Sequence, residues 1–270
     1  MSDESEKPKE EVTLTTVMNR GREKAMGFFD HLEEMRWMLI KCLVVFLIFA
    51  TLIGIYLQEF NSALLWPLHR IQAENPAIHL NLITTSVLGP FDVVINMCLL
   101  GGLGLSAPFM LFFIGRFVSP ALNEKELKVV LPLCLAAFFL FLFGASFGFF
   151  VLMPGALRIS LELSTLFQID PYYTAESYFS MLSKLMLGVG ATFEFPLVII
   201  LLVWLGVMST AFLRKYRRHA IVVIAIIAAI VTPTPDPFNM LAMAAPLYVL
   251  FEISILISAR VEKRRELRNR

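Results

Sequence analysis

The chain has 270 residues, of which 57% are apolar, and its mean hydropathy is +0.72. An average soluble domain is about 45–50% apolar, and the excess here falls in long uninterrupted blocks, which exclude an ordinary soluble domain and predict an all-α, polytopic membrane protein. The formal net charge of +1 points to no nucleic acid and to no other highly charged partner.

The first 25 residues contain no apolar stretch of the kind that a signal peptide requires, and residues 1–25 are predicted to form a flexible cytoplasmic tail. The next segment, MGFFDHLEEMRWMLIK, has helical periodicity, with apolar side chains on one face and carboxylates on the other. We therefore predict a helix that lies on the inner membrane surface and leads into the first span. Its apolar face holds Phe28, Leu32, Met35 and Leu39, and its acidic face holds Asp30, Glu33 and Glu34.

Six apolar stretches are predicted to be transmembrane helices, because about 20 helical residues cross the roughly 30 Å of hydrocarbon in a bilayer. They cover approximately residues 38–57, 88–113, 129–152, 178–205, 220–231 and 238–259. The six-span membrane domain then extends over residues 26–260, and residues 261–270 form a basic cytoplasmic tail.

The fifth and sixth spans are predicted to be short. The fifth has twelve residues and measures about 18 Å as a helix, which is less than the hydrocarbon thickness. Three explanations stay open: the bilayer thins beside this helix, flanking side chains snorkel, or residues 216–218 extend the helix into the headgroups.

Two local motifs interrupt the apolar pattern. The small-residue patch GGLGLSAP, residues 101–108 in the second span, favours close helix packing together with a kink at Pro108. The TPTPDP turn between the fifth and sixth spans places Asp236 where it can cap the sixth helix, with Pro237 at the first helical position.

The distribution of lysine and arginine predicts the orientation. With the N-terminus inside, 20 of the 23 basic residues fall in inner segments, and only Arg70, Arg158 and Lys184 fall in outer ones. Because inner loops are enriched in Lys and Arg, both termini are predicted to face the cytoplasm.

Motifs for catalysis and for metal or cofactor binding are absent from the sequence. It contains no HExxH, P-loop or GxGxxG pattern, and its three cysteines lack metal-ligand spacing. None of the four histidines falls within the core of a predicted span. We therefore predict a protein that is not an enzyme and that uses no metal and no cofactor.

Carboxylates occur at two positions on the predicted cytoplasmic surface. Glu34 lies on the acidic face described above, and the first inner loop, GRFVSPALNEKELK, supplies Glu124 and Glu126. Such a pair of sites could clamp a cationic ligand, and a guanidinium group fits best because it pairs with carboxylates in a bidentate manner. The alternative is a solvated acidic face that neighbouring Lys and Arg side chains satisfy.

Two further carboxylates fall inside predicted spans, where insertion of a charge costs roughly 2.5–3.5 kcal/mol. Glu194 is near the centre of the fourth span, and Lys184 is ten residues away, about 15 Å along a helix, so these two cannot pair directly. Glu252 lies in the sixth span. Pro196 and Pro246 remove backbone donors nearby, which is typical of segments that line a cavity. Glu194 therefore either braces the bundle by a hydrogen bond or lines a functional polar groove.

Six stretches of the sequence, in order and covering about residues 28–260, resemble the TatC family, the multispanning core subunit of the twin-arginine protein translocase. They are FFDHLEEMRWMLI, FVSPALNEKELKVVLP, FGFFVLMPGAL, ATFEFPLVI, RKYRRHAIV and TPTPDPFNMLAMAAPLYVLFEISI.

The resemblance implies a location in the inner membrane of a prokaryote. It also implies a function in the export of folded proteins, driven by the protonmotive force, through recognition of signal peptides that carry two consecutive arginines. It implies a recognition site in which HLEEMR supplies Glu34 and Arg36 and the PAL-x-x-x-E pattern supplies Glu126, with Phe117 nine residues earlier. Implied partners are these signal peptides, single-span subunits of the TatA and TatB type, the lipid bilayer, and other copies of the chain in multimeric receptor complexes.

The FExP pattern of the family implies that Glu194, with Phe193 and Pro196, faces an open concave groove that contacts the single-span partners. FEIS places Glu252 in the same polar groove, and the turn places Asp236 as the helix cap. An alternative function remains, a proton- or ion-coupled transporter of small solutes in which Glu194 is the carrier carboxylate and Glu252 a relay. A third is a membrane scaffold whose acids only brace helices.

Overall fold

The computed structural model describes the chain over residues 28–74, 81–118, 124–232 and 236–269. Side chains are described over residues 31–74, 81–117, 132–204, 206–232 and 236–263. The predicted N-terminal tail, residues 1–25, lies outside these ranges.

The described chain is almost entirely helical, as the apolar blocks predict. The elements are α1 (Phe28–Ile55), α2 (Leu57–Leu64), α3 (Trp66–Glu74), β1 (Leu82–Ile83), α4 (Gly89–Val118), α5 (Glu124–Phe147), a π-helical segment (Gly148–Leu152), α6 (Met153–Leu166), β2 (Tyr173–Thr174), α7 (Ala175–Phe193), α8 (Phe195–Leu205), α9 (Thr210–Lys215), α10 (Arg217–Val231) and α11 (Pro237–Asn269).

Five segments of the described chain are helical, long and apolar enough to cross a membrane: His31–Ile55, Gly89–Phe117, Pro132–Leu166, Ala175–Trp204 and Pro237–Lys263. They confirm a polytopic, all-α membrane protein. The predicted fifth span corresponds to α10, which has 15 residues and measures about 22 Å, so it is short as predicted. Its extra residues come from the start of the helix at Arg217, in line with an extension toward the headgroups.

Two predictions about the ends of the chain need correction. The sixth span is not short, because α11 has 33 residues and passes through Pro246 without ending. This helix also includes residues 261–269, so most of the predicted basic tail is a continuation of α11. The amphipathic segment at the N-terminus is not a separate surface helix, since α1 runs unbroken for 28 residues, about 42 Å. No glycine or proline interrupts it before its apolar half, and it therefore enters the membrane directly.

The bundle has two different ends. We call the end that holds the start of α1, the end of α4 and the start of α10 the basic end, because Arg36, Arg116 and Arg217 lie there. The opposite end, formed by α2, α3, α6 and the two strands, is the cap end.

A bidentate ion pair joins two helices at the cap end. The guanidinium of Arg158 in α6 donates from Nε and Nη2 to both carboxylate oxygens of Glu74 in α3, at 2.6–3.0 Å. The hydrogen bonds from Arg158 hold the pKa of the Glu74 carboxyl below its usual value. β1 and β2 add a short parallel pair, with Leu82 opposite Tyr173. The cap therefore depends on contacts between residues that are far apart in sequence.

Helix packing near the middle of the bundle requires small residues. A Cβ atom built on Gly102 of α4 would lie 3.0 Å from Cβ and 3.1 Å from Cα of Ala50 in α1. The close approach of these two helices confirms the packing role predicted for the small-residue patch. Gly104, two residues further along α4, has no atom within 4 Å of such a Cβ.

We expect Gly102→Val to destabilise the bundle by about 1–3 kcal/mol, because the added methyl groups force α1 and α4 apart. Gly104→Val introduces the same side chain into open space and is the matched control, with an expected change within about 0.5 kcal/mol. Unfolding of both variants in detergent, followed by circular dichroism, measures the difference. Equal losses of stability would mean that the α1–α4 contact does not depend on this glycine.

Candidate functional site

The start of α1 and the end of α4 meet at the basic end. The ring of His31 stacks on the ring of Phe117, with centroids 4.6 Å apart and planes inclined by 19°. Glu34 is three residues after His31 and therefore lies on the same face of α1. Its carboxylate oxygen Oε2 is buried and accepts no hydrogen bond from the described residues. This arrangement is a half-buried carboxylate beside an aromatic stack, with one oxygen left for a donor from outside.

The structure gives less information on the other two predicted members of this site, Arg36 and Glu126. Arg36 is exposed and lies two residues beyond Glu34, so it points to a different side of α1. Glu126 is the third residue of α5, and its side chain is outside the described residues. Because α4 ends at Val118 and α5 begins at Glu124, the backbone of Glu126 lies at the same end of the bundle as Phe117.

Glu194 occupies a break between two helices. It is a single turn residue between α7 and α8, its N–H donates to Ala191, and its carbonyl accepts from Leu197 and Val198. Pro196 in the first turn of α8 has no N–H, so the carbonyl four residues earlier loses its usual helical donor. The break thus follows directly from the FEFP sequence.

The carboxyl group of Glu194 is half-buried, and its Oε1 is buried with no hydrogen-bond partner among the described residues. The neighbouring Phe193 is completely buried, and its ring lies 5.8–5.9 Å from the rings of Phe143 and Phe147 of α5. Pro196 is also buried. Phe193 and Pro196 therefore fix the backbone on either side of Glu194, while one carboxyl oxygen is left unsatisfied within the span.

Glu252 has partners that the sequence did not predict. Its Oε2 lies 2.9 Å from Nη2 of Arg217 at the start of α10, and its Oε1 accepts a hydrogen bond from the Tyr248 hydroxyl at 3.2 Å. The carboxylate therefore joins α10 to α11. Arg217 could have been suspected from the short fifth span, because a cation at the start of that helix reaches the level of Glu252 on α11.

The family model for Sec-independent protein translocase protein (TatC) matches residues 30–246. The chain belongs to the TatC family. A TatC protein of Koribacter versatilis is 32% identical over 253 residues, which cover 90% of each chain. One from Aquifex aeolicus is 31% identical over 242 residues, which cover 89% of this chain and 98% of the relative.

Solved structures support the same family. A crystal structure of the twin arginine translocase receptor TatC has a TM-score of 0.70 and 32% sequence identity, and the match covers 86% of this chain and 99% of the other. A second, in the detergent DDM, has a TM-score of 0.72 and 33% identity over 84% of this chain and 99% of the other. The architecture of the TatC family is therefore that of the described chain.

Two further hydrogen-bonded contacts involve the two ends of α11. Asp236 accepts a hydrogen bond from the N–H of Asn239 at 2.6 Å, and α11 begins at Pro237, which is the N-cap geometry that the TPTPDP turn predicts. Glu262 of α11 accepts hydrogen bonds from the N–H and the hydroxyl of Thr210, at the start of α9. Within the described residues, no three His, Cys, Asp or Glu side chains gather as a metal site.

The ion pair between Arg217 and Glu252 allows a double-mutant cycle. We expect Arg217→Gln and Glu252→Gln each to lower the free energy of unfolding, because each leaves the partner charge poorly satisfied near the membrane. We expect a coupling energy of about 1 kcal/mol, since both side chains are partly exposed.

Unfolding by SDS in mixed micelles measures the two single variants and the double variant. Lys263→Gln removes an exposed charge further along α11 and serves as the control. Strictly additive losses would show that the two side chains do not interact in solution.

Proposed function

We propose that this chain is the signal-peptide receptor and core subunit of a twin-arginine translocase. It recognises precursor proteins by paired arginines and assembles single-span TatA- and TatB-type subunits, in multimeric complexes, to export folded proteins. The observation that carries this proposal is the buried, unpaired Oε2 of Glu34 beside the stack of His31 and Phe117, in a chain of the TatC family.

Recognition of the two arginines follows from the chemistry of the basic end. A guanidinium donates two parallel hydrogen bonds to one carboxylate, and an oxygen that lacks an internal donor is ready to accept one. In an extended peptide, successive side chains point in opposite directions. Two carboxylates on different helices, Glu34 on α1 and Glu126 on α5, can therefore take one arginine each. Phe117 supplies an aromatic ring on which a guanidinium plane can stack, and Arg36 borders the site.

The membrane-embedded carboxyl group has a separate role. The unsatisfied Oε1 of Glu194 favours a hydrogen bond with a polar side chain of a partner helix, which is worth about 1–2 kcal/mol in membranes. The missing N–H of Pro196 also leaves a backbone carbonyl beside Glu194 without its usual helical donor. We therefore propose that the region around Glu194 contacts the single-span subunits. The protonmotive force supplies the energy for transport.

The orientation is part of the proposal. Both termini lie in the cytoplasm, so that the basic end meets precursor proteins and the cap end faces the other side of the inner membrane. A proton-coupled solute transporter is less well supported, because Glu252, the proposed relay, is engaged by Arg217 and Tyr248.

Charge removal at the basic end tests recognition. We expect Glu34→Gln and Glu126→Gln each to weaken binding of a twin-arginine signal peptide by about 10–100-fold, because each loses a charge-assisted pair worth roughly 1.5–3 kcal/mol. Glu33→Gln removes an equal charge from an exposed neighbour and is the matched control, with little expected change. Fluorescence anisotropy with a labelled peptide and the full chain in nanodiscs measures the affinities.

A peptide with both arginines replaced by lysines gives the second comparison. Lysine cannot form the bidentate pair, so its binding to the unaltered chain is expected to be weak and to change little in the Glu34 and Glu126 variants. If both variants bind the arginine peptide as tightly as the unaltered chain does, the proposed recognition site is wrong.

A different readout tests the embedded carboxyl group. We expect Glu194→Ala to reduce copurification of the single-span subunits by about tenfold, the effect of losing one hydrogen bond in the membrane, while affinity for the signal peptide stays within about twofold. Glu162→Ala, an exposed carboxylate in α6 at the cap end, is the control. Undiminished copurification and transport in the Glu194 variant would remove the assignment.

A further inference from the structure

A groove of about 620 Å³ lies between α4, α7 and the end of α10, away from both carboxylate sites. Ten residues line it, and Lys184 is the one charged side chain among them. This lysine is exposed, and it forms no salt bridge with the described residues. A lone cation in a groove of this size, which is typical of small-ligand sites, calls for an anionic occupant.

The polarity of the groove changes along its length. Asn96, Ser180 and Ser183 line it together with Lys184 near the cap end, and Ser183 is anchored by donating a hydrogen bond to the carbonyl of Asn96 at 3.3 Å. Three leucines line the groove one to two turns closer to the basic end. These are Leu99 and Leu103 on α4 and Leu187 on α7. A charged and polar end followed by an apolar end matches a molecule with an anionic head and a hydrocarbon tail.

Lys184 lies toward the cap end of the fourth span. Counted along α7 and α8 it is 20 residues from Trp204, where that span ends, and 20 helical residues at about 1.5 Å each measure about 30 Å, the thickness of the hydrocarbon. A Cβ atom built on Gly188, one turn deeper than Lys184, would lie 3.0 Å from Cγ1 of Val231, the last residue of the short α10. α10 therefore ends about one turn short of Lys184, and the long lysine side chain can reach the level of the headgroups.

The geometry points to a binding site for an anionic phospholipid from the leaflet at the cap end, with its phosphate at Lys184 and an acyl chain along Leu99, Leu103 and Leu187. The ammonium group binds the phosphate as a point charge, and the Ser180 hydroxyl supplies a further donor. A transmembrane helix of a partner is the alternative occupant, but it would need an acidic side chain at the level of Lys184 to match the charge of this groove.

Photocrosslinking tests this site directly. The full chain is reconstituted in phosphatidylcholine bilayers that contain a small fraction of phosphatidylglycerol with a photoreactive acyl chain, and crosslinked peptides are identified by mass spectrometry. We expect crosslinks to Leu99, Leu103 and Leu187, and an excess of unlabelled phosphatidylglycerol, but not of phosphatidylcholine, should remove them.

Three variants make the test specific. Lys184→Gln is expected to reduce the groove crosslinks about tenfold, the effect of losing one charge-assisted contact, whereas Lys184→Arg keeps the charge and should retain them. Leu103→Trp leaves Lys184 in place but fills the apolar part, so it should also remove them. Crosslinks to the exposed Leu43 and Leu47 on α1 are the internal reference for a folded, embedded chain.

Groove crosslinks that are equal in the unaltered chain and in Lys184→Gln would overturn the proposal. So would groove crosslinks that phosphatidylcholine displaces as well as phosphatidylglycerol does. If a co-reconstituted single-span subunit abolishes the lipid crosslinks and crosslinks to Lys184 through an acidic side chain, the groove belongs to a partner helix instead. None of these results depends on signal-peptide affinity, so the proposed receptor function is tested separately.

Discussion

The hydrocarbon of a bilayer offers no hydrogen-bond partners, and this constraint governs the whole structure. Long helices satisfy almost all of the described backbone internally, so any polar group that is left over inside a span must find a partner on another helix or reach an end of the bundle. Glu252 does the first through Arg217, and Lys184 is exposed toward the cap end of its span. Glu194 meets this requirement only in part, because the backbone of Phe141 on α5 is a hydrogen-bond partner of its carboxyl group while Oε1 has no donor among the described residues.

The helices differ in length relative to the thickness of the hydrocarbon. α1 measures about 42 Å and α10 about 22 Å, so one helix extends beyond the hydrocarbon while the other does not fill it. The excess length of α1 carries Glu34 to the basic end, where water and soluble ligands are available. The deficit of α10 leaves the groove beside Lys184 open. Under the proposed function, this difference in length separates recognition of a peptide at the basic end from contacts made within the membrane.

Features that depend on neighbours in sequence could be predicted, and features that depend on distant residues could not. The apolar blocks gave the spans, the turn residues placed Asp236 at the start of α11, and the small residues around Gly102 indicated a close helix contact. Arg217 and Glu252, which form an ion pair, are 35 residues apart in sequence, and Arg158 and Glu74 are 84 residues apart. The sequence also led to too short a sixth span. Pro246 lies inside the continuous helix α11, because neighbouring helices can satisfy the backbone groups that a proline leaves free.

Burial without a hydrogen-bond partner does not by itself identify a binding residue. Two other residues with a buried, unpaired side-chain atom, Glu176 and Ser258, illustrate this. Glu176 also has an unpaired oxygen, but its other oxygen accepts a hydrogen bond from Thr84 at 2.6 Å, which anchors the group to the loop before α4. Ser258 has an unpaired hydroxyl that is neutral and therefore much less costly to bury. At Glu34 the unsatisfied oxygen lies at the basic end. At Glu194 it lies at a break in a span, where the backbone of Phe141 on α5 is the other partner of the carboxyl group. Under the proposed function, each of these oxygens accepts a hydrogen bond from another molecule, a guanidinium at Glu34 and a polar side chain of a partner helix at Glu194.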